Sequence, residues 1–259
     1  MAKYGSPSGV FVFDGYNLLA HKLQGIRVKQ TALTEPYTGV GDTWEENVPV
    51  GIQQAELAQE GAFFTDDTGS IHMRLAGAAG SPDNNPNGTP GVGIVGYSGS
   101  AQGSAVYAFT GALGVSYDVV STVNQLHRAN VEYKVTGQMD NDAVLIAAAR
   151  TTVTTDSNST SVDNAAATDY GGRAYLNIDS LTLHTATNLV VTLQDSVNDS
   201  DWLTLASFAA ATVVGSETVA VAAGVGSVAQ YLRVLWAWTG GAGASSTAKI
   251  TVAFRRDTA

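Results

Sequence analysis

The chain has 259 residues, a formal net charge of −10, no cysteine, and only 14% charged residues. Without thiols there is neither a disulfide framework nor a thiolate metal site, and neither half carries the basic excess needed to grip nucleic acid through its phosphates. Abundant Gly, Ala, Ser, Thr and Val favour many short strands over long helices, and the length allows one large domain or two ordinary ones.

The opening stretch MAKYGSPSGVFVFDGY holds four consecutive apolar residues, Val10 to Phe13, before an Asp-Gly turn pair. That run is shorter than a secretory signal core, so secretion is not expected and the sequons at Asn87, Asn158 and Asn198 are read as turn sequences. GIRVKQ alternates Ile26 and Val28 against Arg27 and Lys29, the signature of a half-buried strand. A loop with Pro36, Gly39, Gly41 and Pro49 leads to a second strand, where Ala55 and Leu57 alternate with Gln54, Glu56, Ala58 and Glu60. The second face of that strand holds carboxylates and amides but no base. Asp66 or Asp67 is placed to cap a short helix near 67–76, carrying Ile71, Met73 and Leu75 and closing near Gly77.

Residues 77–105 are dense in Gly, Pro, Asn and Ser, and at most VGIVGY within them has strand character. A loop of that length in a compact domain is usually functional or mobile. ANVEYKVTGQ alternates Val131, Tyr133 and Val135 against Glu132 and Lys134, whereas AVLIAAAR fits a buried strand or a helix. The small, polar run TTVTTDSNSTSVDNAAATDYGG places a domain boundary near residue 160. Beyond it, AYLNI, NLVVTLQDS, DWLTLASF, SETVAVAA, QYLRVLWAW and KITVAFRR recur about every ten residues, as in a β-sandwich. The most apolar region, 204–238, is interrupted by Glu217, Gln230 and Arg233, and so reads as core strands, not a membrane span.

Few motifs carry chemistry. Gly91–Gly96 satisfies G-x-G-x-x-G, but a Pro/Asn-rich loop precedes it and YSGSAQGS follows, where a dinucleotide site needs a strand and a helix. GYSGS around Ser98 has Ser100 where a nucleophile elbow needs glycine. His21, His72, His127 and His184 are scattered without ligand spacing. Asp195, Asn198, Asp199 and Asp201 offer calcium-type oxygens, although Asp and Asn are also the commonest turn formers. Trp236 and Trp238 share strand parity with Leu232 and Val234, which favours a core over a sugar-stacking platform. No catalytic residue, metal or cofactor is expected.

The order of parts resembles the major tail tube proteins of long-tailed bacteriophages. The resemblance lies in GYNLLAHKLQGIRVKQTA, WEENVPVGIQQAELAQEGAFFTDD and VEYKVTGQM, with a C-terminal stretch like a sandwich found in some of these phage proteins. It covers most of the chain but includes no diagnostic motif. It implies an all-β fold: a tail-tube-like sandwich or barrel with one short helix over 1–160, then a second β-sandwich over 161–259 toward the exterior. The implied function is a virion structural protein, assembled in the bacterial host cytoplasm. Its copies would form rings, usually hexameric, stacked into a tube that conducts the genome.

Carried over, that resemblance makes Ser81–Ser104, with Ser81, Asp83, Asn84, Asn85, Asn87 and Tyr97, a candidate inter-ring loop, and Met1–Gly9 a candidate arm. The implied partners are further copies of the chain and other tail proteins such as the tape measure and terminator, with DNA passing unbound and no membrane involved. Gln54, Glu56 and Glu60 are then candidates to face the lumen, because acids and amides let a duplex slide where bases would trap it. Pairing of Glu56 and Glu60 with Arg27 and Lys29 across the sheet is the equal alternative. A capsid decoration or adhesion protein, with the sandwich binding a sugar or receptor, is the competing function. An enzyme ranks last, for want of a converging polar set.

Overall fold

A computed structural model of the chain describes residues 9–18, 25–36, 47–63, 90–120, 128–224, 226–240 and 245–258. Their regular structure is almost entirely strand: β1 (Val10–Phe13), β2 (Tyr16–Asn17), β3 (Gly25–Pro36), β4 (Asn47–Phe63), β5 (Gly91–Gly96), β6 (Ala105–Val120), β7 (Arg128–Val135), β8 (Met139–Leu145), β9 (Thr151–Val153), β10 (Ser157–Asn158), β11 (Val162–Asp163), β12 (Gly172–Thr182), β13 (Asn188–Ser196), β14 (Leu203–Ser207), β15 (Gly215–Val221), β16 (Tyr231–Thr239) and β17 (Thr247–Arg256). The all-β expectation holds. The helix expected near 67–76 lies outside the described residues.

The chain forms two compact units. Met1–Ala20, Gly91–Gly111 and Gln138–Ala259 make the first, and His21–Pro90 with Ala112–Gly137 make the second. In the first unit one antiparallel sheet runs β15-β12-β17-β8-β6-β5-β1-β2, and a smaller sheet carries β16, β13 and β14 with the short β10 and β11 on β16. The two sheets sandwich a core of Leu176, Ile178, Leu189, Val191, Leu193, Val234, Trp236 and Ile250 among others. The alternation that marked β13 and β16 as half-buried strands is the alternation that fills this core: Trp236 and Trp238 are 7% and 6% exposed. Trp236 Nε1 donates to Thr155 O at 3.0 Å, so neither indole is a surface platform.

The large sheet also curls. Val10 and Val12 of β1, Ile94 of β5, Val106 of β6, Leu145 of β8, Tyr175 of β12 and Ala253 of β17 share a second core, although β1 and β12 stand far apart in strand order. The β1–β2 turn helps close this curl. Asp14 and Gly15 both have positive φ, 47° and 81°, the requirement of a tight hairpin turn that Asp-Gly meets. A Cβ on Gly15 would lie 2.7 Å from Gly215 N, and Ser216 Oγ donates to Asp14 Oδ1 at 3.2 Å.

The expected boundary near residue 160 does not coincide with the division into units. The polar run after Arg150 is not a linker. β9 pairs with β17, and β10 and β11 pair with β16. Ser159 N donates to Val234 O at 2.9 Å, and Trp238 N donates to Asp156 Oδ1 at 2.7 Å. Short Ser, Thr and Asp side chains supply hydrogen bonds where larger residues supply packing, so composition alone gave the wrong cue. Gly91–Gly96 is likewise no loop. It is a buried strand antiparallel to β1, with Gly93 required because a Cβ there would sit 2.3 Å from the Phe109 ring. AVLIAAAR begins as the end of β8.

Candidate functional site

The second unit is built on four antiparallel strands in the order β3-β4-β7-β6, the last contributing Ala112 to Val120. β4 has 17 residues and β3 has 12, so at roughly 3.3 Å per residue they extend about 56 and 40 Å. Such lengths are about two to three times those of ordinary strands. Among the described residues β3 pairs only with β4, and the Ala112–Val120 part of β6 pairs only with β7. Among the described residues, both sides of this sheet are therefore open edges.

Register sorts the side chains onto two faces. Leu57, Val131 and Tyr133 fall on one and are buried at 2% exposure or less. Gln59 shares that face, also fully buried, and its amide oxygen and nitrogen have no hydrogen-bond partner among the described residues. On the other face stand Gln54, Glu56 and Glu60 of β4, all exposed. Beside them are Arg27 and Lys29 of β3, Arg128, Glu132 and Lys134 of β7, and Asp118 of β6.

This face is not solely acidic. Lys29 lies directly opposite Glu56 on one side and Lys134 on the other. Lys29 Nζ is 3.9 Å from Glu56 Oε2, and Arg27 Nη2 reaches across Ala58 to Glu132 Oε1 at 4.0 Å. The pairs are half exposed or more, and each is worth at most about 1 kcal/mol. Glu60 faces Gly25, which has no side chain. With the exposed Glu35 further along β3, this face carries four positive and five negative groups, the two signs interspersed. The cross-sheet pairing read as the alternative in the sequence is thus present for Glu56, while Glu60 and Gln54 remain exposed to whatever this face meets. An open depression of about 360 Å³ between Arg27, Ala58, Glu60, Asn130 and Glu132 lies on the same sheet.

The other sequence candidates are dispersed. Ser81, Asp83, Asn84, Asn85 and Asn87 lie outside the described residues. Tyr97 belongs to the first unit, where its hydroxyl donates to Asp142 Oδ1 at 3.0 Å and its ring packs on Tyr107. The Asp195–Asp201 oxygens do not converge. Asp195 accepts Ala229 N, while Asn198 Nδ2 donates to Asp201 within the hairpin turn. No group of three or more metal-ligating side chains occurs among the described residues. Nor is any helix there long and apolar enough to cross a membrane. Sequence reasoning missed that β7 brings Lys134 beside Glu56. The alternation of ANVEYKVTGQ showed a strand, but not its neighbour.

No family model matches the chain, and no curated protein does. Solved structures do. A chain from the virion of a native gene transfer agent particle matches at 12% identity and a TM-score of 0.38, over 54% of this chain and 98% of that one. A chain from the tail of an empty gene transfer agent particle with C6 symmetry matches at 14% and 0.40, over 54% and 98%. The SPP1 Dit protein, described as a paradigm of the hub adsorption apparatus in phages infecting Gram-positive bacteria, matches at 10% and 0.34, over 96% and 99%.

Proposed function

We propose that this chain is a structural virion protein whose copies join edge to edge into rings, stacked to form the tail tube of a long-tailed phage and to pass its DNA. The observation that carries this reading is the pair of long open edges on the β3-β4-β7-β6 sheet. An unpaired edge recruits other chains where it stays regular; here each edge ladder shifts register once, between Ala32 and Thr34 and between Gly114 and Ser116, which leaves regular stretches at Gly25–Ala32 of β3 and Ser116–Val120 of β6. Joining one edge of a sheet to the different edge of a second copy is a heterologous contact, which closes into a ring when the rotation allows. On the polar face the regular part of the β3 edge presents Arg27 and Lys29, with Glu35 beyond its register shift, and the β6 edge presents Asp118.

The nearly charge-balanced polar face suits the lining of such a ring. Nearly equal numbers of interspersed charges, with acids slightly in excess, give a duplex no net attraction, and so no counterion release to hold it. Gln54, Glu56 and Glu60 are then lumen residues within a near-neutral lattice. The number of copies per ring follows the six of the family that the sequence resembles. The loop within Ser81–Ser104 is the proposed bridge between rings, and the C-terminal sandwich, 161–259, is the proposed exterior module. Tape measure and terminator proteins are the expected tail partners.

Negative-stain microscopy of the purified full chain tests this. Rings or tubes of constant bore are expected, and Asp118→Lys should reduce their yield at low salt. Discrete monomers or trimers at every concentration would overturn the reading in favour of a decoration or adhesion protein.

A further inference from the structure

In the first unit, Asp140 of β8 has only 1% of its side chain exposed. Its carboxylate is already engaged by neutral donors: Tyr175 Oη at 2.5 Å and Gln138 Nε2 at 2.8 Å. Two guanidinium groups nevertheless face it. Arg173 Nη1 lies 3.5 Å from Oδ2, and Arg255 Nη1 lies 3.6 Å from Oδ1. Arg173 and Arg255 are directly paired residues of β12 and β17, so strand register holds them side by side. Their side chains are about three-quarters buried, at 25% and 28% exposed.

Those distances are attraction without a hydrogen bond. An arginine that satisfies a carboxylate approaches to about 2.7–2.9 Å, often with both fork nitrogens. Arg173 also interacts with the Tyr175 hydroxyl, but with five N–H donors in each guanidinium both forks keep donors to spare. On its other side Arg173 meets Ala220 of β15, which has no acceptor side chain. Two cations share one anion, leaving a local excess of one positive charge on a chain whose net charge is −10. Paired, partly desolvated forks of this kind are the arrangement that recognises carboxylate and phosphate oxygens.

We propose that Arg173 and Arg255 form a binding site for one oxyanionic group, a carboxylate or a phosphate, supplied by a free small anion or by an acidic side chain of another copy. The site itself stands apart from the ring reading. Only its filling by a second copy depends on that reading.

Equilibrium dialysis of labelled acetate and labelled phosphate against the full chain, at low chloride, reads the site directly. One saturable anion per chain is expected for free subunits. Arg255→Gln should weaken binding about tenfold or more. That variant leaves one arginine for one carboxylate, so it should stay folded. Should it not fold, Arg255→Lys keeps the charge, loses the planar fork, and should weaken binding severalfold. Arg233→Gln is the control, because that guanidinium is already held by Gln194 and by the Trp202 ring. Binding in free subunits that disappears in assembled particles identifies a neighbour's carboxylate as the occupant. Binding retained in both identifies a free anion. Absence of saturable binding, or equal binding in the wild type, Arg255→Gln and Arg255→Lys, means an adventitious ion only and overturns the proposal.

Discussion

Replacing Glu56 and Glu60 together with lysine separates a lumen role from a purely structural one. The structural cost is small. The Lys29–Glu56 pair at 3.9 Å is about half exposed on both sides, so its attraction is at most about 1 kcal/mol, and the repulsion that replaces it is of similar size. Lys134 stands on the other flank of position 56 and adds a comparable amount. The total, at most about 3–4 kcal/mol, is below the stability of an ordinary domain. The effect on a channel is much larger. The nearly balanced face becomes a basic one, and a ring of six such copies shifts by about 24 charges, at two per substitution. Phosphates would then be drawn in at low salt and released as salt screens the surface beyond about 10 Å near 0.1 M. The assay is assembly by microscopy, followed by DNA retention and ejection rate at two salt concentrations. Normal rings with slow, salt-relieved ejection are expected. Normal assembly with ejection unchanged would place this face away from the DNA, and failure to form rings would mean that the carboxylates serve a subunit contact.

Three further outcomes are expected. Burial, and next the hydrogen bond to Asp140, raise the Tyr175 hydroxyl pKa well above its ordinary value. The unfolded chain therefore loses this proton near pH 10 while the fold keeps it. Its stabilising contribution is complete below that pH and falls above it by about 1.4 kcal/mol per pH unit; denaturation of Tyr175→Phe between pH 9 and 11 should lack that slope. Gln59→Leu removes two buried polar atoms that have no partner among the described residues, so urea denaturation should show no loss and up to about 1–2 kcal/mol of gain; a loss above 1 kcal/mol would show that the amide is satisfied. A fragment of residues 1–160 should fail to fold as a cooperative unit in calorimetry, because β8 and β9 lose β17 and β10 loses β16.

Much of the strand content was legible because it rests on local alternation. Ile26 with Val28, Ala55 with Leu57, and Leu232 through Trp238 each announced one buried face. Local pattern does not reveal which strands become neighbours. Glu56 looked like part of an acidic surface because Lys29 and Lys134 reach it from strands about 27 and 78 positions away along the chain. The same limit hid Asp140, Arg173 and Arg255, three charges scattered over more than a hundred positions and brought together only by register. The misplaced boundary near 160 had a different cause. Short polar strands stabilised by hydrogen bonds resemble linkers in composition, because neither needs large apolar residues.

The position of β17 also governs how fast this chain can fold. β8 waits for a partner roughly one hundred residues further on, where Val144 meets Phe254 and Leu145 meets Ala253. β1 likewise waits for β5, with Val10 opposite Gly96. Closing loops of that size precedes any reward from the contacts they permit, which places the chain among slow, high-contact-order folders, on the scale of milliseconds to seconds rather than microseconds. During that interval β8 is an unpaired edge in a polypeptide already rich in them. Yield of soluble subunit should therefore fall with expression temperature and rate, through competition between intramolecular closure by β17 and capture by another nascent copy.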